Sequence, residues 1–312
     1  MNEADQVAAP AGLPDARRNS WVNRAPRWTR PYLRLSRYDR PAGFWLLGLP
    51  CLAGLALARQ DTGFLTGDAG LSALFVLGAV AMRGAGCTYN DILDAEIDLK
   101  VARTAMRPLP SGDLTRRNAW IWLLAQCLIG LGVLLTLPPL ARWVALGSIP
   151  MVALYPLMKR VTWWPQIWLG LTFNWGVLVA AAAARGTLSA ADWILYAALI
   201  LWTLGYDTIY ALQDREDDAL IGVKSTALRF GAHVKSAIWV IYSACAVLVG
   251  SAGFLSGGWG AALATLPFSL HLAQQAARLD PDNSRLALVL FQANRDAGIL
   301  LFVAWAFIAG RF

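Results

Sequence analysis

Long, nearly uncharged apolar runs dominate the chain, and a run of about 20 such residues is what a helix needs to cross the hydrocarbon core of a bilayer. Nine of them fall at 42–59, 71–89, 118–137, 139–157, 164–184, 189–212, 235–255, 257–275 and 295–311. With 57% hydrophobic and only 15% charged residues over 312 positions, the chain is too apolar for an ordinary water-soluble protein. The expected class is therefore all-α, a polytopic membrane protein with about nine transmembrane helices. Cys51, Cys87, Cys127 and Cys245 each sit alone in an apolar stretch and read as small buried hydrophobes. His233 and His271 are far apart, which argues against a histidine-based metal site.

The connections between the runs alternate. One side carries the polar segments 90–117, 158–163, 213–234 and 276–294; the other has short turns such as Leu137-Pro138-Pro139 and Gly257-Gly258. Residues 1–41 and the polar side hold 22 Lys and Arg, against four (Arg59, Arg142, Arg185 and Arg311) on the other. The positive-inside rule puts the tail and the long loops in the cytoplasm and accounts for the net charge of +7 without a nucleic-acid partner. Residues 1–30 are expected to be a flexible cytoplasmic tail and 31–312 a single membrane domain. The tail has no signal-peptide core, and Glu3, Asp5 and Asp15 argue against a mitochondrial transit peptide, so a bacterial inner membrane is the expected location.

Two acidic motifs lie on the cytoplasmic side. In the first, Asn90, Asp94 and Asp98 are spaced i, i+4, i+8, one face of a helix, with Asp91 beside it. In the second, Asp207, Asp214 and Asp218 are spaced i, i+7, i+11. Like charges on one helix face repel, and near a bilayer they cost more. A divalent cation offsets that cost. Mg²⁺ prefers carboxylate oxygen and typically uses one or two carboxylates together with substrate phosphates. Asp94 to Asp214 and Asp98 to Asp218 are each 120 residues apart. That points to two quasi-repeated four-helix units plus one helix around a central cavity, with the acidic ends facing each other.

Basic residues accompany the acids. Arg103, Arg107, Lys159, Arg160 and Lys224 are candidates for binding diphosphate oxygens that metals leave uncovered. Arg83 lies inside the second span, where a charge is expensive and a role in the cavity is the default reading. Arg40, just before Pro41, is placed to reach the same cavity.

These motifs resemble those of the UbiA superfamily of intramembrane prenyltransferases. NDxxDxxxD is matched by Asn90, Asp91, Asp94 and Asp98, and RTxxRPL by Arg103, Thr104, Arg107, Pro108 and Leu109. DxxYAxxDxxxD is matched by Asp207, Tyr210, Ala211, Asp214 and Asp218, and YPxxKR by Tyr155 to Arg160. Within the superfamily, residues 35–43, 83–87 and 207–231 are most similar to members that prenylate 4-hydroxybenzoate in ubiquinone biosynthesis.

The resemblance implies Mg²⁺ held by Asn90, Asp94 and Asp98 on one side and by Asp214 and Asp218 on the other, with Asp91 either a ligand or the orienter of one. The catalytic acids would be Asp91, Asp94, Asp214 and Asp218. The substrates would be a polyprenyl diphosphate and 4-hydroxybenzoate, joined at the ring carbon ortho to the hydroxyl, with acceptor contacts from Arg40, Arg83, Tyr155, Asp207 and Tyr210. Contact with other quinone-biosynthesis enzymes is a further expectation. Alternatives are another aromatic acceptor (homogentisate, naphthoate, haem or chlorophyllide), a CDP-alcohol phosphatidyltransferase, whose DGxxAR element is missing here, or an ion-coupled transporter.

Overall fold

The computed structural model describes residues 19–99, 104–215, 219–220 and 222–310. All regular structure among the described residues is helical. In chain order the helices are α1 (Arg30–Leu35), α2 (Ala42–Ala58), α3 (Asp68–Asp98), α4 (Arg116–Thr136), α5 (Pro139–Leu146), α6 (Ile149–Val161), α7 (Pro165–Phe173), α8 (Gly176–Arg185), α9 (Ala190–Ala211), α10 (Thr226–Phe230), α11 (Val234–Leu263), α12 (Leu266–Arg278) and α13 (Ser284–Ala309). Among the described residues seven helical segments are long and apolar enough to cross a membrane, and Ala42–Ala58 is a shorter apolar helix. Among the described residues of the expected tail, Trp21–Arg24 forms a 3₁₀ turn capped by Ser20.

The distribution of side chains is that of a protein solvated by lipid. On α4, Trp120, Ile121, Leu124, Leu128 and Leu135 are exposed, while Gln126 is buried. Apolar side chains turned outward and polar ones turned inward are favourable only where the solvent is itself apolar. The protein is integral to a membrane.

Several apolar runs are not single rods. The run 139–157 is α5 and α6, separated at Gly147–Ser148, and the run 164–184 is α7 and α8, separated at Asn174–Trp175. Asn174 covers its own break: its Nδ2 donates to the carbonyls of Gly170 (2.8 Å) and Leu199 (3.0 Å) and to Thr203 Oγ1 (2.8 Å). Gly257–Gly258 reverses the chain within α11, since a Cβ on Gly253 would sit 2.7 Å from the Ala261 carbonyl oxygen. A straight helix would hold residues eight apart about 12 Å from each other. Gly258 has φ +65° and ψ −158°, a region open to glycine alone. The expected loops at 90–117 and 276–294 are partly helical, because α3 runs on to Asp98 and α13 starts at Ser284.

By contacts the chain falls into two compact units, Met1–Gly43 with Ala81–Leu128, and Phe44–Val80 with Ile129–Phe312. In the first, Leu35, Ile92, Leu114 and Ala119 form the core, with Tyr32 edge-on to Trp122 at 5.6 Å. Ser36 Oγ accepts from Trp122 Nε1 (2.7 Å) and Gln126 Nε2 (2.6 Å). In the second, α9 is the central element and packs on α7, α8, α11 and α13. Its Leu195, Leu199, Trp202, Tyr206 and Ile209 are all buried.

Candidate active site

Helicity through Asp98 puts Asn90, Asp94 and Asp98 on one face of α3, with Asp91 about 100° round from Asn90. Asp91 and Asp94 are fully buried and Asp98 nearly so. Three carboxylates within about two turns demand positive charge, and two arginines supply it. Arg37 grips Asp91 as a fork, Nη2 to Oδ1 at 2.7 Å and Nη1 to Oδ2 at 3.0 Å. Arg107 Nη1 donates to Asp98 Oδ2 at 2.7 Å and reaches Asp91 Oδ1 at 3.4 Å. Asn90 Nδ2 donates to Asp94 Oδ2 at 3.1 Å, and Thr104 Oγ1 donates to the Asp98 carbonyl at 2.8 Å, satisfying part of the helix end. Asp98 lies just past the apolar part of α3. Burial raises its carboxyl above the ordinary value, Arg107 pulls it back, and Asp91 and Asp94 push it further up.

Arg37 is the residue that sequence reasoning missed: it was counted among the cytoplasmic positive charges and lies in the segment 35–43 that carries the resemblance, but it was given no role in the site. It ends α1 with φ +61°, and among the described residues no other non-glycine has a positive φ. Tyr38 N donates to the Leu33 carbonyl and Arg37 N to the Arg34 carbonyl, both at 3.0 Å. That pair of bonds is the glycine-type helix ending, six-to-one and five-to-two. An arginine there costs about 1–2 kcal/mol relative to a right-handed backbone. The available sequence signal was position: a helix-terminating residue directly ahead of Tyr38-Asp39-Arg40-Pro41.

Arg83 is half-buried on α3 and lies against the first turn of α2, where a Cβ on Gly43 would collide with its Nε. Next to it, a Cβ on Gly84 would meet Tyr38 OH at 2.8 Å and Gln126 Nε2 at 2.7 Å. Arg40 Nε is 3.4 Å from Asp39 Oδ1, a mostly buried pair. The first unit thus brings Asn90, Asp91, Asp94, Asp98 and Arg107 together around α3. Arg103 lies outside the described residues.

The second unit carries the other motif. Asp207 and Tyr210 are on the last turns of α9, and Tyr210 packs on Phe291 with ring centroids 4.5 Å apart. The α-helix stops at Ala211 and a 3₁₀ turn, Leu212–Asp214, follows, so the spacing from Asp207 to Asp214 is not that of one continuous α-helix. Asp218 lies outside the described residues. Tyr155, Lys159 and Arg160 are on α6. Lys224 is brought to the same end: its N–H donates to the Lys159 carbonyl at 3.1 Å, and its Nζ donates to the Val161 carbonyl at 3.1 Å, 5.9 Å from the Trp163 ring centroid. Its ammonium therefore sits on the negative end of α6.

The donor set of the first motif is oxygen only, which suits a hard cation such as Mg²⁺. Among the described residues no three acids, histidines or cysteines converge on one point as a ready cage.

The UbiA prenyltransferase family model matches residues 47–309, and the chain belongs to that family. The 4-hydroxybenzoate polyprenyltransferase, mitochondrial, of Rattus norvegicus is 45% identical over 286 residues, 90% of this chain and 75% of the relative. The protein of that name from Homo sapiens is 43% identical over 286 residues, 90% of this chain and 76% of the relative. The apo structure of a UbiA homolog from Aeropyrum pernix K1 superposes with a TM-score of 0.70 at 25% identity, covering 83% of this chain and 96% of that one. A UbiA homolog from Archaeoglobus fulgidus bound to DMAPP and Mg²⁺ has a TM-score of 0.69 at 18% identity, covering 90% of this chain and 99% of that one.

Proposed function

We propose that this protein transfers a polyprenyl group from a polyprenyl diphosphate to the ring carbon ortho to the hydroxyl of 4-hydroxybenzoate, with Mg²⁺. The observation that carries the reading is the run of α3 through Asp98, which lines up Asn90, Asp94 and Asp98 beside Arg107. The names of the 43–45% identical relatives support the acceptor.

Asn90, Asp94 and Asp98 would hold one cation, and Asp214 and Asp218 a second. A bound divalent cation supplies neutralisation of the charge that builds on the departing diphosphate. Arg103, Arg107, Lys159, Arg160 and Lys224 donate to diphosphate oxygens the metals leave open, and so favour the state in which that charge is greatest. The allylic C–O bond breaks, and its electron pair leaves with the diphosphate. The ring carbon ortho to the hydroxyl bonds to the allylic carbon, and loss of the proton on that ring carbon restores aromaticity. Arg40 or Arg83 pairs with the acceptor carboxylate, while Tyr155, Asp207 and Tyr210 orient the ring. Apolar surroundings exclude the water that would capture the allylic cation.

The membrane domain is taken as 31–312, with the site on the side that holds the N-terminal tail. The relatives compared above are mitochondrial by name, which lends no support to a bacterial inner membrane. The test is incubation of membranes with Mg²⁺, geranyl diphosphate and a panel of aromatic acids, with products identified by mass. A 3-prenylated 4-hydroxybenzoate is expected, lost on chelation and in Asp94→Ala. Selective prenylation of a different acid, or full activity in Asp94→Ala, would overturn the reading.

A further inference from the structure

We infer that Arg37 is a positioning residue for the first acidic motif: its guanidinium holds Asp91 out of the metal-binding set, so that α3 offers Asn90, Asp94 and Asp98 to the cation. The inference rests on the metal-dependent reading given above.

Three observations carry it. Both Asp91 oxygens are engaged by Arg37, at 2.7 and 3.0 Å, and Asp91 is fully buried. The fork takes one lone pair on each Asp91 oxygen, and Arg107 Nη1 lies 3.4 Å from Oδ1, so a cation at this carboxylate would face two guanidinium groups at once. Asp98 is held differently: among the described residues it is met at Oδ2 alone, by one nitrogen of Arg107. It is the acid that a cation can take over with the smaller rearrangement. The backbone at position 37 gives the third observation. With φ +61°, a glycine would make the same two helix-ending hydrogen bonds without strain on a Cβ. The arginine side chain adds the fork to Asp91, which a glycine could not make.

This separates two roles that lie three residues apart on one helix. Asp94 belongs to the cation. Asp91 belongs to Arg37 and anchors the end of α1 to α3, which fixes the rotation of the metal-binding face. A residue that orients ligands commonly costs about 10–100-fold in metal affinity or activity when lost.

The full-length protein in nanodiscs tests this with Mn²⁺ as the probe, read by electron paramagnetic resonance in the presence of inorganic pyrophosphate, alongside kcat and KM for geranyl diphosphate. The variants are Arg37→Gly, Arg37→Lys, Asp91→Asn, Asp94→Asn and the double Arg37→Gly/Asp91→Asn. Arg37→Gly keeps the backbone conformation, and its released Asp91 adds a carboxylate near the ion. Mn²⁺ is expected to bind more tightly in it while kcat falls about tenfold or more. Asp91→Asn leaves Mn²⁺ affinity within roughly threefold of the parent, whereas Asp94→Asn weakens it about tenfold or more. The double variant, with neither charge left unpaired, returns to the parent Mn²⁺ affinity and is no slower than Arg37→Gly. Arg37→Lys keeps a charge without the fork and recovers part of kcat. If Asp91→Asn weakens Mn²⁺ binding as much as Asp94→Asn, Asp91 is a ligand; if the Arg37 and Asp91 effects multiply in the double variant, the two residues act independently; either result overturns the inference. Failure of the parent protein to bind Mn²⁺ would instead remove the metal-dependent reading and this inference with it.

Discussion

Arg107 bridges two acids of a single helix: its Nη1 lies 2.7 Å from Asp98 Oδ2 and 3.4 Å from Asp91 Oδ1. It neutralises charge that a cation would otherwise have to neutralise alone. Removing one partner of a buried pair is strongly destabilising, because the other is left charged and unsolvated. Arg107→Ala is expected to cost the metal-free protein about 3 kcal/mol. Added Mg²⁺ then raises the thermal midpoint of the variant by more than that of the parent, since the ion replaces the missing charge. Arg107→Lys, a point charge with no fork, recovers part of the loss. Equal Mg²⁺ shifts in parent and variant would show that Arg107 and the cation act on separate charges.

Asp98 gives a pH dependence whose sign follows from the direction of its shift. Burial, opposed by Arg107, holds its carboxyl above the ordinary value. The folded protein therefore binds this proton more tightly than the unfolded chain does. Its contribution to stability is complete below the ordinary carboxylate value and is lost as pH rises through the raised one. A cation needs the ionised form, so its apparent affinity weakens as pH falls through the same window. Thermal unfolding of parent and Asp98→Asn, each with and without Mn²⁺ over a pH series, checks both signs. The parent should gain stability relative to Asp98→Asn as the metal-free solution is acidified, and should lose its Mn²⁺ stabilisation over the same range. A difference between the two proteins that does not change with pH contradicts the assignment.

How much of this was legible beforehand differs between the two motifs, for a physical reason. Asn90, Asp94 and Asp98 share an α-helical period, and α3 keeps that period to its last residue, so the shared face follows from spacing alone. The second motif also has helical spacing, but α9 gives way to a 3₁₀ turn at Leu212, and side-chain direction there no longer follows the α-helical count. The apolar runs were readable from composition. Their breaks at Ser148 and Asn174 were not, because no proline or glycine pair marks Asn174 and its side chain repairs the gap from within. Arg37 was hidden for a related reason. Its role depends on a left-handed backbone at a position where glycine is the usual signal, and on a partner 54 residues away.

Asn294 ties four helices of the larger unit at a depth where no water competes. Its Oδ1 accepts from Trp202 Nε1 at 2.7 Å, and its Nδ2 donates to Gln275 Oε1 at 3.0 Å and to the Leu290 carbonyl at 2.9 Å. Gln275 in turn accepts from Tyr242 OH at 3.3 Å. Asn294→Leu preserves approximate volume and takes the acceptor from both the indole N–H and Gln275 Nε2, which donates to Asn294 Oδ1 at 3.3 Å, while Gln275 Oε1 keeps Tyr242 OH. Buried unsatisfied groups cost about 1–3 kcal/mol each, and interhelical bonds in membranes average nearer 0.6. A loss of about 1–2 kcal/mol in detergent-titration unfolding is expected. The folded fraction should keep the KM for prenyl diphosphate, since the network does not include either acidic motif. A large change in KM with unchanged stability would move Asn294 into the site.

Thr208 and Thr226 join the second acidic motif to the segment that carries Lys224. Their hydroxyl oxygens are 2.6 Å apart, and both residues are fully buried. Thr208 Oγ1 also lies 2.6 Å from the Leu204 carbonyl, which can only accept. Thr208 has one proton and gives it to that carbonyl, so Thr226 is the donor in the pair. The Thr226 N–H is in turn taken by Gln166 Oε1 at 3.2 Å, and Ser225 Oγ caps α10 through Leu228 N at 3.3 Å. The start of α10 is thus bolted to α9 beside Asp207 and to α7, and Lys224 is two residues upstream of the bolt. Thr226→Val removes the donor without changing the shape, and Thr226→Ser retains it. Losing one buried bond of this kind costs about 1 kcal/mol, equivalent to about a fivefold change in an equilibrium constant. The Val variant is therefore expected to raise KM for prenyl diphosphate about fivefold with kcat less affected, because what it loosens is the placement of the cation on Lys224. The Ser variant should stay near the parent value. If the Val variant leaves KM at the parent value, the hydroxyl pair has no part in holding the diphosphate.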